Sequence, residues 1–411
     1  MKGRYGSAVS YAVIMLIDAH VHLGLNDFCK ENTEKFQYDL ENKFKDQINF
    51  MDRHNIDKAV VLPMPARNYD VTECNNYLLE ATSKYPERFI PYCRMDKELQ
   101  NNIAINGFYG AKFHMVYEDH SAAKRALYFK LLEYYSVPLI IHAKFADKPS
   151  QIRKILELAE NIKIIIAHFG RGHIYTDEGV EELLREFAGN ENVYFESSTV
   201  GKQRAIEVAC NIVGSKRVLF GTDYPFGRAW FKKLYLYGDE IDLVKNAAIT
   251  SEDKDNIFFG NVLRLCEAAD ERKKGAVIKP VGNDWEKVLE MLRSLDKDDI
   301  NYLAIDKKWD IVRRDLKSNR HAYVLYDNEE IVGYFRESGR ENGFSMLEEI
   351  VIFPRYRGRG YSNKIMDYFV KFFPKSYAKT HSKNHKIIGL LEKYGYLRDV
   401  NGSRIIIWSR S

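Results

Sequence analysis

Five residues whose side chains can bind a cation or move a proton recur at similar places in an apolar pattern. His20 and His22 end the run LIDAHVH, His142 lies at the end of VPLIIHA, His168 ends IKIIIAH and Asp223 ends RVLFGTD. His20 and His22 stand at i and i+2, so on an extended strand both side chains leave the same face and can converge on one ion. Imidazole nitrogens with one carboxylate suit Zn²⁺ best, and Mn²⁺, Fe²⁺, Co²⁺ or Ni²⁺ are less readily excluded. A divalent ion held in this way lowers the pKa of its water from ~15.7 to about 7 and polarises a carbonyl oxygen. A neighbouring carboxylate and imidazole then move protons between nucleophile and leaving group. A lone histidine at the end of an apolar strand is more often a hydrogen-bonded core residue than a ligand. Four histidines and an aspartate, all at the same end of the first strand and of three others, argue for a shared ion. Ligand types alone do not choose between cleaving an ester, lactone or amide and removing a carboxylate as carbon dioxide.

The elements that must position these groups are legible as short apolar runs alternating with longer amphipathic stretches over the first 270 residues or so. Eight strands are predicted, over 16–22, 58–63, 89–93, 110–114, 137–143, 162–168, 192–197 and 217–223. Runs such as IKIII and VPLII are apolar on both faces, as a strand covered by helices outside and packed inside must be. The rhythm implies an α/β fold, a closed (β/α)₈ TIM barrel over 15–270, whose chemistry collects at the C-terminal ends of the strands. Further groups are expected at that mouth. Lys112 and His114 lie in GAKFH, with His120 beyond them; Glu196 ends strand seven, and Arg171 stands in the HFGRG loop. Arg171 could pair with a substrate carboxylate or form an ordinary salt bridge. The last barrel helix is predicted over 256–271, with Ser251-Glu252-Asp253 as the candidate cap.

A second kind of chemistry is written after residue 271. The stretch 271–283 loses periodicity and gains charge, Gly and Pro, and reads as a linker. Beyond it, 284–411 reads as a smaller α+β domain, with a helix at 284–295, a hairpin of strands at 321–327 and 330–337 around an Asp-Asn turn, and a strand at 347–353. The segment LEEIVIFPRYRGRGYSNKIM then sets a strand, a basic glycine turn and a helix in succession. Gly358 and Gly360 allow backbone N–H groups to face a pyrophosphate at the helix N-terminus, and Arg355, Arg357 and Arg359 add cationic donors.

Composition bounds the rest. A chain of 411 residues exceeds one growing core, so two domains are expected. Its formal net charge of +4 gives no electrostatic case for nucleic acid or an anionic membrane as the main partner. Five scattered cysteines without a C-x-x-C pair fit neither a disulfide framework nor a zinc ribbon and point to a reducing, cytoplasmic setting. The apolar AVIMLI at 12–17 is too short for a membrane span and reads as part of the first strand, with 1–14 a disordered leader.

IDAHVHLG, PLIIHA, IIIAHFG and VLFGTDYPFG, followed by FGNVLRL, resemble the metal-dependent amidohydrolase superfamily, in particular its branch related to aminocarboxymuconate-semialdehyde decarboxylase, over about 15–268. The resemblance implies that His20, His22, His142 and Asp223 contact the metal and that His168 is catalytic or stands behind the ligands. Asp223 would also accept the proton from water. It allows Lys112 to be a carbamylated bridge between two metals; the other reading of Lys112 is a group that hydrogen-bonds substrate or a nearby carboxylate. Residues 355–360, Arg-Tyr-Arg-Gly-Arg-Gly, resemble the acetyl-CoA-binding motif of GNAT N-acetyltransferases, and KNHKIIGLLEKYGY at 383–396 is similar to their later motif. The similarity runs over roughly 280–408 and implies cofactor contacts from Ile350, Val351, Ile352, Arg355, Arg357, Gly358, Arg359, Gly360, Tyr361 and Asn384. One departure is evident: Leu391 stands where many relatives carry the Tyr that protonates the departing thiolate. The expectation is therefore a metal-dependent hydrolase of a small acyl- or carboxyl-bearing substrate, most readily with zinc, fused to an acetyl-CoA-binding domain and assembled as a homodimer. The alternative is a non-oxidative decarboxylase whose second domain only binds CoA or a partner.

Overall fold

The computed structural model describes residues 15–25, 28, 41–65, 70–94, 107–114, 126–142, 149–171, 177–226, 237–273, 275–300, 303, 309–318, 321–328, 330–341, 344–381, 383–399 and 405–410. The expected leader 1–14 and His120 lie outside them. The chain divides in sequence at Ala269/Asp270 into two compact units.

In the first unit, eight parallel strands pair in chain order: β1 (Ile17–Leu23), β2 (Lys58–Pro63), β3 (Phe89–Arg94), β4 (Gly110–His114), β5 (Leu139–His142), β6 (Ile164–Ile166), β7 (Val193–Glu196) and β8 (Val218–Leu219). Past β8 the chain returns to β1 through Ala19 N to Phe220 O, Asp223 N to His20 O and His22 N to Tyr224 O, each 2.8 Å, which brings the sheet round on itself as a TIM-type barrel. Strands six and eight are shorter than their apolar runs. His168 falls in the turn Ala167–Arg171 beyond β6, and Asp223 lies four residues past the last paired residue of β8.

Apolar side chains from β1, β2, β3, β5, β6 and β8, among them Ile17, Val60, Ile90, Ile140, Ile165 and Leu219, meet in one buried cluster with Val262 and Leu265 of the helix Asn261–Lys273. Side chains from strands all around the sheet can meet only in its interior, so the barrel is filled below the layer that carries the histidines. The predicted last helix is three pieces: Ser251–Asp255, one wide turn at Asn256–Gly260, and Asn261–Lys273. Its cap is Thr250, one residue before the expected site. Thr250 Oγ1 accepts from Asp253 N, and Asp253 Oδ2 accepts from Thr250 N, both at 3.1 Å.

The second unit is a seven-stranded mixed sheet in the order β14-β15-β13-β12-β11-β10-β9. Its strands are β9 (Val277–Pro280), β10 (Ala322–Asp327), β11 (Glu330–Glu341), β12 (Phe344–Ile352), β13 (Ser376–His381), β14 (Leu397–Asp399) and β15 (Ile405–Arg410). The hairpin β10–β11 turns at Asn328, whose φ of 46° suits an Asn at the predicted Asp-Asn turn. Four residues read as linker form β9 instead. Their Gly-, Pro- and charge-rich neighbours disguise a strand that pairs antiparallel with β10, Tyr323 opposite Pro280 and Tyr326 opposite Val277. Among the described residues no helix is long and apolar enough to cross a membrane.

One buried amide ties the barrel's last helix to its last strand. Asn261 Nδ2 donates to Ser215 O at 2.8 Å and Val218 O at 2.5 Å, while Asn261 Oδ1 accepts from Arg264. Replacing it with alanine strands two carbonyls in the interior. Asn261→Ala should lower unfolding stability by about 2–4 kcal/mol, read from urea titrations followed by circular dichroism.

Candidate metal centre and acyl-CoA cleft

The two histidines of β1 are each anchored at one ring nitrogen so that the other faces the barrel mouth. His20 Nδ1 donates to Glu196 Oε2 at 2.8 Å, and His22 Nδ1 donates to Pro63 O at 2.8 Å. Both Nε2 atoms are thereby left with lone pairs pointing inward, 3.2 Å apart, and Asp223 Oδ1 lies 3.4 Å from each. An ion 2.0–2.1 Å from each apex of a tetrahedron has ligands about 3.3 Å apart. The three atoms stand at the edges such an ion requires. Carboxylate or carbonyl anchoring of the outer ring nitrogen is how metal-binding histidines are oriented. Burial, with Lys112 nearby, holds His22 below its ordinary pKa and therefore neutral, the form that binds a cation.

His168 approaches from the other side. It occupies a left-handed run with Phe169 and Gly170, at φ of 56°, 48° and 81°. Its Nδ1 donates to Ser198 O at 3.1 Å, with Ser198 Oγ at 2.8 Å and Thr199 Oγ1 at 3.2 Å. Because a carbonyl only accepts, Nδ1 carries the proton and Nε2 is the acceptor. That nitrogen lies 3.9 Å from Asp223 Oδ2 and 2.9 Å from His142 Nδ1. Among the described residues, His20, His168 and Asp223 form a group whose ligand atoms lie within 4.8 Å of one another. The family resemblance implied His142 in that role; the left-handed turn swings His168 forward, and His142 stands beside it, stacked on His114 at 4.1 Å.

The remaining expected residues divide. Lys112 is buried, 2% exposed, and its Nζ lies 3.1 Å from His20 Nε2, close enough to His22 to bear on its charge. His114 is buried, and burial together with Lys112 holds it well below its ordinary pKa. Glu196, expected to meet substrate, instead faces inward beside His20: its oxygens accept from His20 Nδ1, from Ser198 Oγ at 2.9 Å and from Ser198 N. Its position next to Gly221, where a Cβ would stand 2.3 Å from Glu196 Oε1, leaves no room for a ligand between them. Arg171 closes the turn after β6; its side chain lies outside the described residues. Sequence reasoning missed Asp18, which accepts from His20 N and Thr222 N at 3.0 Å and from Thr222 Oγ1 at 2.6 Å, and so pins the strand beside Asp223. Its spacing two residues before His20 was the available signal.

In the second unit, β12 and β13 pair in parallel only from Ser345–Ser376 to Leu347–Ala378. Past that point both strands border a cleft of about 980 Å³. Eight of the ten expected cofactor residues line it: 350–352, Arg357, Gly358, Gly360, Tyr361 and Asn384. Gly358 and Gly360 have φ near 80°, and Gly360 precedes the helix Tyr361–Phe372. Arg355 and Arg359 are not in the lining. Arg355 is 68% exposed at its side chain, paired with Glu330 at 3.6 Å, and its guanidinium lies 4.6 Å from the Tyr356 ring; Arg359 lies over the same ring at 5.9 Å. Leu391 is fully buried, and Tyr394 OH donates to Asp367 Oδ1 at 2.7 Å.

Residues 17–265 match the amidohydrolase family and residues 285–396 the acetyltransferase (GNAT) family. A relative from Polaromonas sp. strain JS666, gamma-resorcylate decarboxylase, is 21% identical over 291 residues, covering 53% of this chain and 86% of its own. Two solved structures share the fold. One, from Pseudomonas putida and named as a 2-pyrone-4,6-dicarboxylic acid hydrolase, is 16% identical with a TM-score of 0.51, covering 62% of this chain and 98% of its own. The other, an amidohydrolase from Burkholderia multivorans with bound zinc, is 13% identical with a TM-score of 0.51, covering 62% and 99%. With that match spanning the barrel, and a GNAT domain following it, the chain belongs to the amidohydrolase family.

Proposed function

We propose that this is a cytoplasmic, bifunctional enzyme: a metal-dependent hydrolase of a small acyl- or carboxyl-bearing substrate, joined to a domain that binds acetyl-CoA. The observation that carries the first half is the triangle of His20 Nε2, His22 Nε2 and Asp223 Oδ1, with sides of 3.2, 3.4 and 3.4 Å. These edges favour a small ion with nitrogen and oxygen ligands, and zinc is the proposed one. His20, His22 and Asp223 would hold it, with His142 completing the set. When bound, the ion supplies a nucleophilic water at neutral pH and polarises the substrate's acyl oxygen. Asp223 would accept the proton of the attacking water. His168 Nε2, whose lone pair is kept open by the proton on Nδ1, would take that proton from Asp223 Oδ2, 3.9 Å away, and hand it to the leaving group. Lys112 and His114 meet the substrate's anionic end, as does Arg171.

Decarboxylation is the second reading, favoured by the Polaromonas relative's name and its 86% coverage. Carbon dioxide release and acid release from a panel of amides, lactones and unsaturated carboxylates separate the two. In either case His22→Ala should strip the bound metal, by elemental analysis, and lower turnover of the best substrate by more than about 10²-fold. Metal content of His142→Ala and His168→Ala assigns the fourth position.

The carboxyls behind the histidines give a pH signature. Burial pushes Asp18 up to about 7 and Glu196 up to about 7, against hydrogen bonds that favour their charged forms. A carboxyl whose folded value exceeds its unfolded one favours folding when protonated, and that contribution is lost as pH rises from about 4 through about 7. In chelator-treated protein, Asp18→Asn, which keeps the acceptor oxygen, should gain stability over the parent as pH goes from 5 to 8. Urea midpoints at the two pH values measure it.

For the second domain the proposal rests on the cleft where β12 and β13 part. Residues 350–352 pair with β11 on one side, and on the other, where pairing with β13 has ended, their backbone can bond an extended ligand arm, while the turn at Gly358 and Gly360 presents N–H groups to phosphate. Isothermal titration should detect acetyl-CoA binding, weakened about tenfold or more by Gly360→Val, because a β-branched residue resists a φ of 81°. With Leu391 offering no hydroxyl, acetyl transfer to amines should be slow relative to binding.

A further inference from the structure

The helix Tyr237–Asn246 follows Asp223 in the chain and carries a buried carboxyl, Glu240, only 7% exposed. Glu240 Oε1 accepts from Thr199 N at 2.7 Å. Its other oxygen, Oε2, is shut off from solvent and has no hydrogen-bond partner among the described residues. Burial drives this carboxyl well above the usual carboxylate range, and Glu196, Asp18 and Asp223 add to the effect.

Thr199 sits at φ 59°, a left-handed conformation that a β-branched residue rarely adopts. Something must hold it there. The same turn wraps Nδ1 of His168 with Ser198 O, Ser198 Oγ and Thr199 Oγ1 at 3.1, 2.8 and 3.2 Å. Relaxing Thr199 toward negative φ would carry its hydroxyl and the Ser198 carbonyl away from the imidazole.

We propose that Glu240 is a positioning residue: by accepting the Thr199 N–H it fixes the 198–199 turn against His168 and so keeps the proton on His168 Nδ1 and the lone pair on Nε2. The inference rests on reading His168 as the group that moves protons at the barrel mouth. No contact between Glu240 and substrate is needed.

The test uses the full chain labelled with ¹⁵N-histidine, with two-bond ¹H–¹⁵N spectra assigning His168 by loss of its signals in His168→Gln. In the parent, the His168 pattern should be that of a neutral ring protonated at Nδ1. Glu240→Ala should collapse it toward a mixture of tautomers. Glu240→Gln, which keeps an acceptor oxygen at the same place, should restore it. Where Glu240→Ala does not unfold cooperatively, Glu240→Asp, one methylene short of the Thr199 N–H, takes its place with the same expected loss. An unchanged His168 pattern in the shortened variant overturns the inference, and so does a Gln variant that fails to restore the pattern while unfolding cooperatively. Metal content measured on the same samples judges the hydrolase reading separately: a chain that purifies without metal sinks that reading and leaves the tautomer result standing.

Discussion

The hydrogen bond from His20 Nδ1 to Glu196 Oε2 joins the first strand of the barrel to the seventh and decides which way an imidazole lone pair points. Were it lost, His20 could turn its protonated nitrogen toward Asp223, and the inward triangle of acceptors would not exist. Glu196 can serve only because its environment is crowded with donors: Ser198 N, Ser198 Oγ and, at 3.4 Å, His168 N all converge on it. Removing a carboxyl from water is unfavourable, and those bonds offset the penalty only in part, which is why its proton is held to about pH 7. The barrel thus supports a polar site in its interior by building a second layer of polar groups beneath it.

How much of this could be read from the chain differs from element to element. The strands were legible because IKIII and VPLII are apolar on both faces, a pattern that only a covered parallel strand sustains. The pair His20 and His22 was legible because period two is a property of any strand. The reach of His168 was not. It depends on three consecutive left-handed residues, His168, Phe169 and Gly170, of which only the glycine announces that conformation in sequence. Glu240 was equally hidden, since it meets Thr199 across 41 residues from a helix with nothing unusual in its composition. Glu196 was legible at the mouth but its bond to His20 was not, because strand register places a side chain on a face without saying what it will touch there.

The second domain shows the same division. β12 alternates buried and half-buried positions along its whole length, so its register was readable as a strand before a glycine turn. Which of the three arginines in the turn faces the cleft was not. Arg357 is drawn in by Ile352 O at 3.0 Å and Asp299 at 2.6 Å, whereas Arg355 and Arg359 fold back over the Tyr356 ring. A motif fixes the backbone of such a turn more firmly than the fate of its long side chains, whose heads go wherever a partner and solvent are both within reach.

The barrel's seam has a thermodynamic corollary. β8 contributes two paired residues, and the closure onto β1 relies on a few backbone bonds between 19–22 and 220–224. His20 and His22 lie on one lip of that seam and Asp223 on the other. A cation gripped by all three would act as a clasp, so that the free energy of loading it and the free energy of keeping the cylinder shut become one quantity. Such a cation would raise resistance to heat with the logarithm of its free concentration, and chelation would loosen the molecule first along that seam.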